Sequence, residues 1–242
     1  MSDTLSRTAL SRRDVLRMAA VSAVGAGAAA AGILATPAQA LAEEFPAGFT
    51  RAVRTPDEAM RALREGNARF VAGRVTEPNR NLARVREVAP KQTPFAAVLG
   101  CADSRVPVEL VFDQGFGDLF VCRAAGNVVT PEIVASLEFG TLVLGSKVLV
   151  VLGHSSCGAV AATIAGDPVP GQISTLYQRI QPAVDAVASR ELEPVAAENV
   201  RMQVRLLRRS SPVIAGLIRD GKLQVVGGMY DLKTGAVTFM AG

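Results

Sequence analysis

The sequence predicts an α/β fold: a mainly parallel sheet of four strands plus an edge strand, flanked by helices, with an N-terminal helical arm. Three observations predict it. Residues 95–100, 147–153 and 223–230 are short and nearly all apolar, the pattern of strands buried on both faces. Stretches with helical spacing lie between them. Caps, prolines and glycines mark the joints, and alternation of strand and helix argues for a parallel sheet.

The elements follow in order. Thr55-Pro56-Asp57-Glu58 opens a helix, with an N-cap, a proline at the first position and acids in the first turn. Ala59, Leu63, Ala68 and Phe70 give it an apolar side up to Gly73. Residues 74–94 are polar, contain three prolines and read as a loop with a short helix. Residues 95–100 and 119–122 are strands, and Pro131 starts a helix reaching about Leu144. Residues 147–153 form the third strand, followed by helices over 156–164, 172–189, 194–209 and 211–220. Residues 223–230 are the fourth strand, and 236–240 a fifth at an edge.

Residues 1–40 read as an export signal of the twin-arginine kind. Ser11-Arg12-Arg13-Asp14-Val15-Leu16-Arg17 is basic with paired arginines, and Val15 stands where phenylalanine is usual. An uncharged Ala/Gly-rich run follows from Met18, and Ala38-Gln39-Ala40 offers small residues to a signal peptidase. The chain is therefore expected to be exported to a periplasm or secreted, using the twin-arginine machinery. Residues 41–54 read as a linker and 55–242 as the catalytic domain. Cleavage leaves 22 basic against 20 acidic residues, so the basicity resides mostly in the leader. No basic run with interleaved aromatics remains to argue for nucleic acid. No later stretch is long and apolar enough to span a bilayer, so no stable membrane span is expected after processing.

Cys101, Cys122 and Cys157 are the three cysteines, an odd count that argues against a disulfide framework. Cys101 follows the first strand and His154 the third, with Cys157 just beyond. In open parallel sheets this carboxyl edge is where sites form. Singly, a histidine at a strand end is usually structural, and a free cysteine is usually a small buried hydrophobe. Together, with His-x-x-Cys spacing, Cys101, His154 and Cys157 point to one zinc ion per chain with a coordination position left for water. Cys122, inside an apolar strand, reads as an inert buried thiol. Asp103 and Arg105 lie two and four residues beyond Cys101, where the guanidinium can grip the carboxylate bidentately. Such a grip keeps Asp103 ionised and off the metal. The blander reading is an idle surface ion pair.

Cys101-Ala102-Asp103-Ser104-Arg105-Val106-Pro107, with Gly153-His154-Ser155-Ser156-Cys157-Gly158, resembles the β-class carbonic anhydrases, plant-like subclass. The likeness runs from about Thr55 to Phe239, with Gly126-Asn127 and Ser136-Leu137-Glu138-Phe139 at similar places. It implies reversible hydration of CO2 to bicarbonate and a proton, by zinc-bound hydroxide oriented by the Asp103–Arg105 pair. Gln92 and Phe120 match substrate-contacting positions; Val106, Ala125 and Gly158 complete the candidate substrate contacts. The family also implies a homodimer or larger homo-oligomer, with a first helix, residues 55–72, packing on the partner. The chain lacks the tryptophan of the bicarbonate pocket that gates some bacterial relatives, so that pocket is expected to be absent. With a single histidine committed to metal, proton release is expected to depend on Asp103, water or buffer. CS2 or COS hydrolysis on the same site is the alternative within the enzyme class. A non-catalytic zinc-stabilised module has no use for the Asp–Arg pair, and a thiol redox protein lacks Cys-x-x-Cys.

Overall fold

The structure, a computed structural model, describes residues 53–240. The expected export signal and nearly all of the linker fall outside that stretch.

Five strands form one sheet: β1 (Ala96–Gly100), β2 (Leu119–Arg123), β3 (Val148–His154), β4 (Gln224–Tyr230) and β5 (Val237–Met240). Their order is β2-β1-β3-β4-β5; the first four run parallel and β5 is antiparallel to β4. The helices are α1 (Pro56–Val71), α2 (Leu82–Val88), α3 (Val108–Val111), α4 (Pro131–Glu138), α5 (Gly158–Ala165), α6 (Ser174–Ala186), α7 (Leu192–Ser210) and α8 (Pro212–Arg219). The α/β expectation therefore holds, edge strand included. No helix among the described residues is long and apolar enough to cross a membrane.

Two differences from expectation have local causes. Four-residue α3 is too short to show periodicity, and only Pro107 ahead of it marks its start. The helix expected to reach Leu144 changes pitch at Phe139, where Phe139–Val143 forms a π turn. There the Thr141 hydroxyl donates to the Leu137 carbonyl at 2.7 Å. Gly140 lets the Phe120 ring come so close that a Cβ would sit 2.6 Å from it.

Successive strand residues face opposite sides. Val98, Val150 and Leu152 meet Ala59, Leu63, Val108 and Phe112 on one face. Leu99, Leu149, Val151 and Val225 meet Leu137, Val200, Val204, Leu207 and Ile214 on the other. Each Val, Leu, Ile or Phe among them contributes about 1.5–3 kcal/mol by leaving water.

The capping of α1 is as expected. The Thr55 hydroxyl accepts from the Glu58 N–H at 3.2 Å, and the Glu58 carboxylate accepts from the Thr55 N–H at 3.0 Å. One face of the helix packs within the chain itself. Ala59, Met60, Ala62 and Leu63 are buried in the chain's own core, so this face is already used. Ala68, expected on that side, is exposed, while Gly66 and Asn67 are buried. Helix α2 buries no residue and leaves Leu82 61% exposed.

Two buried carboxylates fasten the loop before α2. Asp113 accepts from Arg69 Nε at 2.6 Å, from the Thr76 N–H and hydroxyl at 3.0 Å, and from the Glu77 N–H at 3.0 Å. Asp118 accepts from Asn79 Nδ2 and the Gly115 N–H, both at 2.9 Å.

Candidate metal centre

After β1 the chain adds β2 on one side and β3 on the other. The crevice beyond the carboxyl ends of β1 and β3 is thus a topological switch point, where open sheets build sites. Cys101 is the first residue past β1, His154 the last of β3, and Cys157 precedes α5. Their ligand atoms lie within 4.8 Å of one another, and all three residues are buried.

The donor set fits a soft divalent cation. His154 Nδ1 pairs with the Ser155 carbonyl at 2.9 Å, which places the proton of a neutral ring there. Nε2 is left with its lone pair, buried and without a hydrogen-bond partner among the described residues. The hydrogen bond from Cys157 draws the Cys101 thiol well below its usual range, with burial opposing and His154 and the Gly126 N–H assisting. Cys157 is pushed up in return, because a second thiolate would face the first in a desolvated pocket. Burial lowers the His154 pKa, yet the Cys101 contact overrides it and the net shift is upward. Two sulfur atoms and one ring nitrogen that face one another in a buried pocket form a donor set that a cation would hold as two thiolates and one imidazole.

Asp103 stands beside the cluster, with Oδ2 3.8 Å from His154 Nε2. Arg105 holds it in a fork: Nε donates to Oδ1 at 2.9 Å and Nη2 to Oδ2 at 2.8 Å. The Arg105 backbone N–H adds a third bond, to Oδ1 at 2.9 Å. The guanidinium is the main reason the carboxyl lies far below the ordinary carboxylate range. Asp103 is therefore an acceptor and not a proton donor at neutral pH.

Sequence reasoning missed the groups that hold these loops. Arg123, the last residue of β2, donates from Nε to the Cys101 carbonyl at 2.9 Å and from Nη2 to the Asp103 carbonyl. The Gly126 N–H donates to Cys101 Sγ at 3.3 Å, at a φ of +69° that favours glycine. From α7, Asn199 Nδ2 donates to the Gly126 carbonyl at 2.9 Å, and Gln203 Oε1 accepts from the Val129 N–H at 2.9 Å. Glu193, in the first turn of α7, accepts from the Ser156 N–H at 3.0 Å.

The expected substrate contacts are more scattered. Ala125 lies in a short 3₁₀ turn, one residue before Gly126, and Gly158 opens α5 with free space where a Cβ would be. Val106 is fully buried in the core under α1 and α3. Phe120 sits on edge strand β2 with its ring 6.4 Å from that of Phe139, and Gln92 is exposed. Cys122 packs with Phe120 on the α4 face, apart from the three ligands; burial raises its thiol pKa.

The family model for carbonic anhydrase matches residues 96–237. The chain belongs to the carbonic anhydrase family. It is 39% identical over 190 residues to a carbonic anhydrase of Mycolicibacterium smegmatis, covering 75% of this chain and 92% of that one. Against carbonic anhydrase 2 of Mycobacterium tuberculosis it is 39% identical over 189 residues, covering 74% and 90%. Solved β-carbonic anhydrases share the fold. One of two tetrameric enzymes from Sordaria macrospora aligns with a TM-score of 0.60 at 27% identity, covering 65% of this chain and 86% of that chain. The β-carbonic anhydrase CcaA aligns with a TM-score of 0.61 at 26% identity, covering 76% and 88%. The protein is thus an enzyme of the β class, and Cys101, His154 and Cys157 form its possible metal site.

Proposed function

We propose that the chain hydrates CO2 reversibly to bicarbonate and a proton, with one zinc ion held by Cys101, His154 and Cys157. One observation carries the reading: three buried soft ligand atoms within 4.8 Å, flanked by a carboxylate that a guanidinium grips in a fork. Zinc bound there supplies a Lewis acid that lowers the pKa of water from about 15.7 toward about 7. The protein's own residues do the rest. Arg105 keeps Asp103 ionised and donates to both its oxygens, a grip that would hold the carboxylate beside the cation rather than on it. From there Asp103 accepts a hydrogen bond from the attacking oxygen and aims its lone pair at carbon. Arg123 and Gly126 hold the Cys101 loop against the pull of the metal.

The substrate wall belongs to this reading too. Ala125 and Gly158 flank the ligand loops, and buried Val106 backs the Asp103–Arg105 segment from below. Phe120 and Gln92 are assigned to substrate contact in a homo-oligomer; in support, Phe120 lies on edge strand β2 beside Phe139, which is 45% exposed, and Gln92 is itself exposed. A homo-oligomer is further supported by the tetrameric Sordaria relatives and by Leu110 and Phe116, about half exposed in one groove with Leu119. Residues 1–40 carry the proposal of twin-arginine export to a periplasm or the exterior. N-terminal sequencing of exported protein is expected to begin at Leu41 or Glu43.

The test is stopped-flow CO2 hydration with zinc measured on the same sample. Activity is expected to track zinc at about one per chain and to vanish with a chelator. Zinc-loaded protein that ignores CO2 from pH 7 to 9, yet hydrolyses CS2 or COS, would replace the substrate assignment and leave the metal site intact.

A further inference from the structure

Between the ligands His154 and Cys157, Ser156 has a φ of +54°, the left-handed region that a residue bearing a Cβ adopts at a cost of roughly 1–2 kcal/mol. Both polar groups of its backbone are engaged. The N–H donates to Glu193 Oε1 at 3.0 Å, and the carbonyl accepts from Arg105 Nη2 at 3.3 Å. The same Nη2 donates to Asp103 Oδ2 at 2.8 Å. A continuous line of contacts therefore runs from α7 through the two peptide groups that flank one residue of positive φ to the carboxylate beside the metal ligands.

The two ends of that line differ in rigidity. The α7 helix is anchored next to Glu193 by buried Val195, Ala196, Asn199 and Val200. The Arg105 side chain is 54% exposed, so packing leaves its guanidinium free. What fixes it is the carboxylate it serves and the Ser156 carbonyl. Glu193 is well suited to set that carbonyl, because an ionised carboxylate is favoured in the first turn of a helix.

We propose that Glu193 is a positioning residue for the hydration reaction. By holding the Ser156 N–H it turns the Ser156 carbonyl toward Arg105, and Arg105 in turn fixes Asp103. Glu193 touches neither substrate nor metal ligand atoms, and the proposal rests on the reading of Asp103 and Arg105 given above. Because Glu193 is exposed, truncating it strands no charge in the core.

The test compares Glu193→Ala, Glu193→Gln, Arg105→Ala and the Glu193→Ala/Arg105→Ala double variant at matched zinc content. Hydrogen–deuterium exchange at the Ser156 amide is followed alongside CO2 hydration. Glu193→Ala is expected to lower kcat about tenfold with KM little changed, as for other groups that hold a metal site in shape. It also speeds exchange at Ser156. Glu193→Gln, whose amide oxygen still accepts, restores most of both. In the Arg105→Ala background the same truncation costs less than about twofold more, since the route to Asp103 is already cut. Equal losses in both backgrounds would show a purely structural role and overturn the proposal, as would unchanged kcat in Glu193→Ala. Should Arg105→Ala alone retain full kcat, the assignment of the Asp–Arg pair fails and takes the proposal with it.

Discussion

Replacing Asp113 by asparagine removes the charge from a buried carboxylate that faces Arg69, Arg80, Thr76 and Glu77. Burial alone would raise the pKa of this group, but the Thr76 N–H, the Arg69 guanidinium and the Glu77 N–H together hold it down at about 2, against 3.8 for a free aspartate. At about 1.36 kcal/mol per unit, that difference is worth roughly 2 kcal/mol of folding free energy. Asparagine tolerates the φ of +46° at this position but turns one acceptor oxygen into a donor that faces N–H groups, so the pH-dependent part of the gap is what reads the charge. The sign follows from the depressed value: the contribution is complete above the unfolded pKa of about 4 and disappears as pH falls toward 2. Urea unfolding of wild type and Asp113→Asn at matched zinc, from pH 7 to pH 3, measures the gap directly. Taking the difference between the two proteins cancels the acid release of metal, which both share. The gap is expected to be about 2 kcal/mol at pH 7 and to narrow below pH 4. A gap that stays constant across this range, or one below about 0.5 kcal/mol at pH 7, refutes the reasoning.

Three other changes test the site. Arg105→Lys keeps the charge but loses the fork, since one ammonium cannot serve both Asp103 oxygens and the Ser156 carbonyl; kcat is expected to fall on the order of 10- to 100-fold with zinc retained, by stopped flow and metal analysis. Gly153→Ala places a Cβ 2.4 Å from Val200 Cγ2 and 3.0 Å from Met229 Sδ, beside His154. A loss of about 1–3 kcal/mol in thermal unfolding and a weaker hold on zinc are expected. Cys122→Ser alters a thiol on the α4 face, away from the three ligands. The variant should bind one zinc per chain as wild type does; loss of metal would make Cys122 part of the site.

The metal cluster was legible because its members stand at strand ends. Apolar runs over 95–100 and 147–153 locate Cys101 and His154 at the carboxyl edge, and the motif spacing supplies Cys157. Parallel pairing of β1 with β3 then brings the three together without any long-range information beyond sheet order. Asp103 and Arg105 were legible for a similar reason, being close in sequence to a ligand. Other parts were hidden by contact across the fold. The face that α1 buries depends on a close approach at Gly66, where a Cβ would stand 1.9 Å from the Phe112 carbonyl, and nothing local marks it. Val106 reads as a wall residue in the motif, and its full burial in the core with α1 and α3 depends on contacts across the fold that nothing local marks.

The residues that hold the ligand loops show how far pattern reading reaches. Along α7 the apolar positions Val195, Ala196, Val200, Val204 and Leu207 form a regular buried stripe, and Asn199 and Gln203 interrupt it while being equally buried. A buried amide inside such a stripe must find partners, so the sequence does announce that something polar lies opposite. It does not say what. In the fold the partners are the Gly126 carbonyl and the Val129 N–H, which flank the turn whose amide meets Cys101 Sγ. Glu193, six residues before the first of those amides, meets the other ligand loop at Ser156. One helix therefore braces both loops of the metal centre, so loss of α7 packing and loss of ligand geometry should occur together, and the centre is as much a property of this helix as of the three residues that bind the ion.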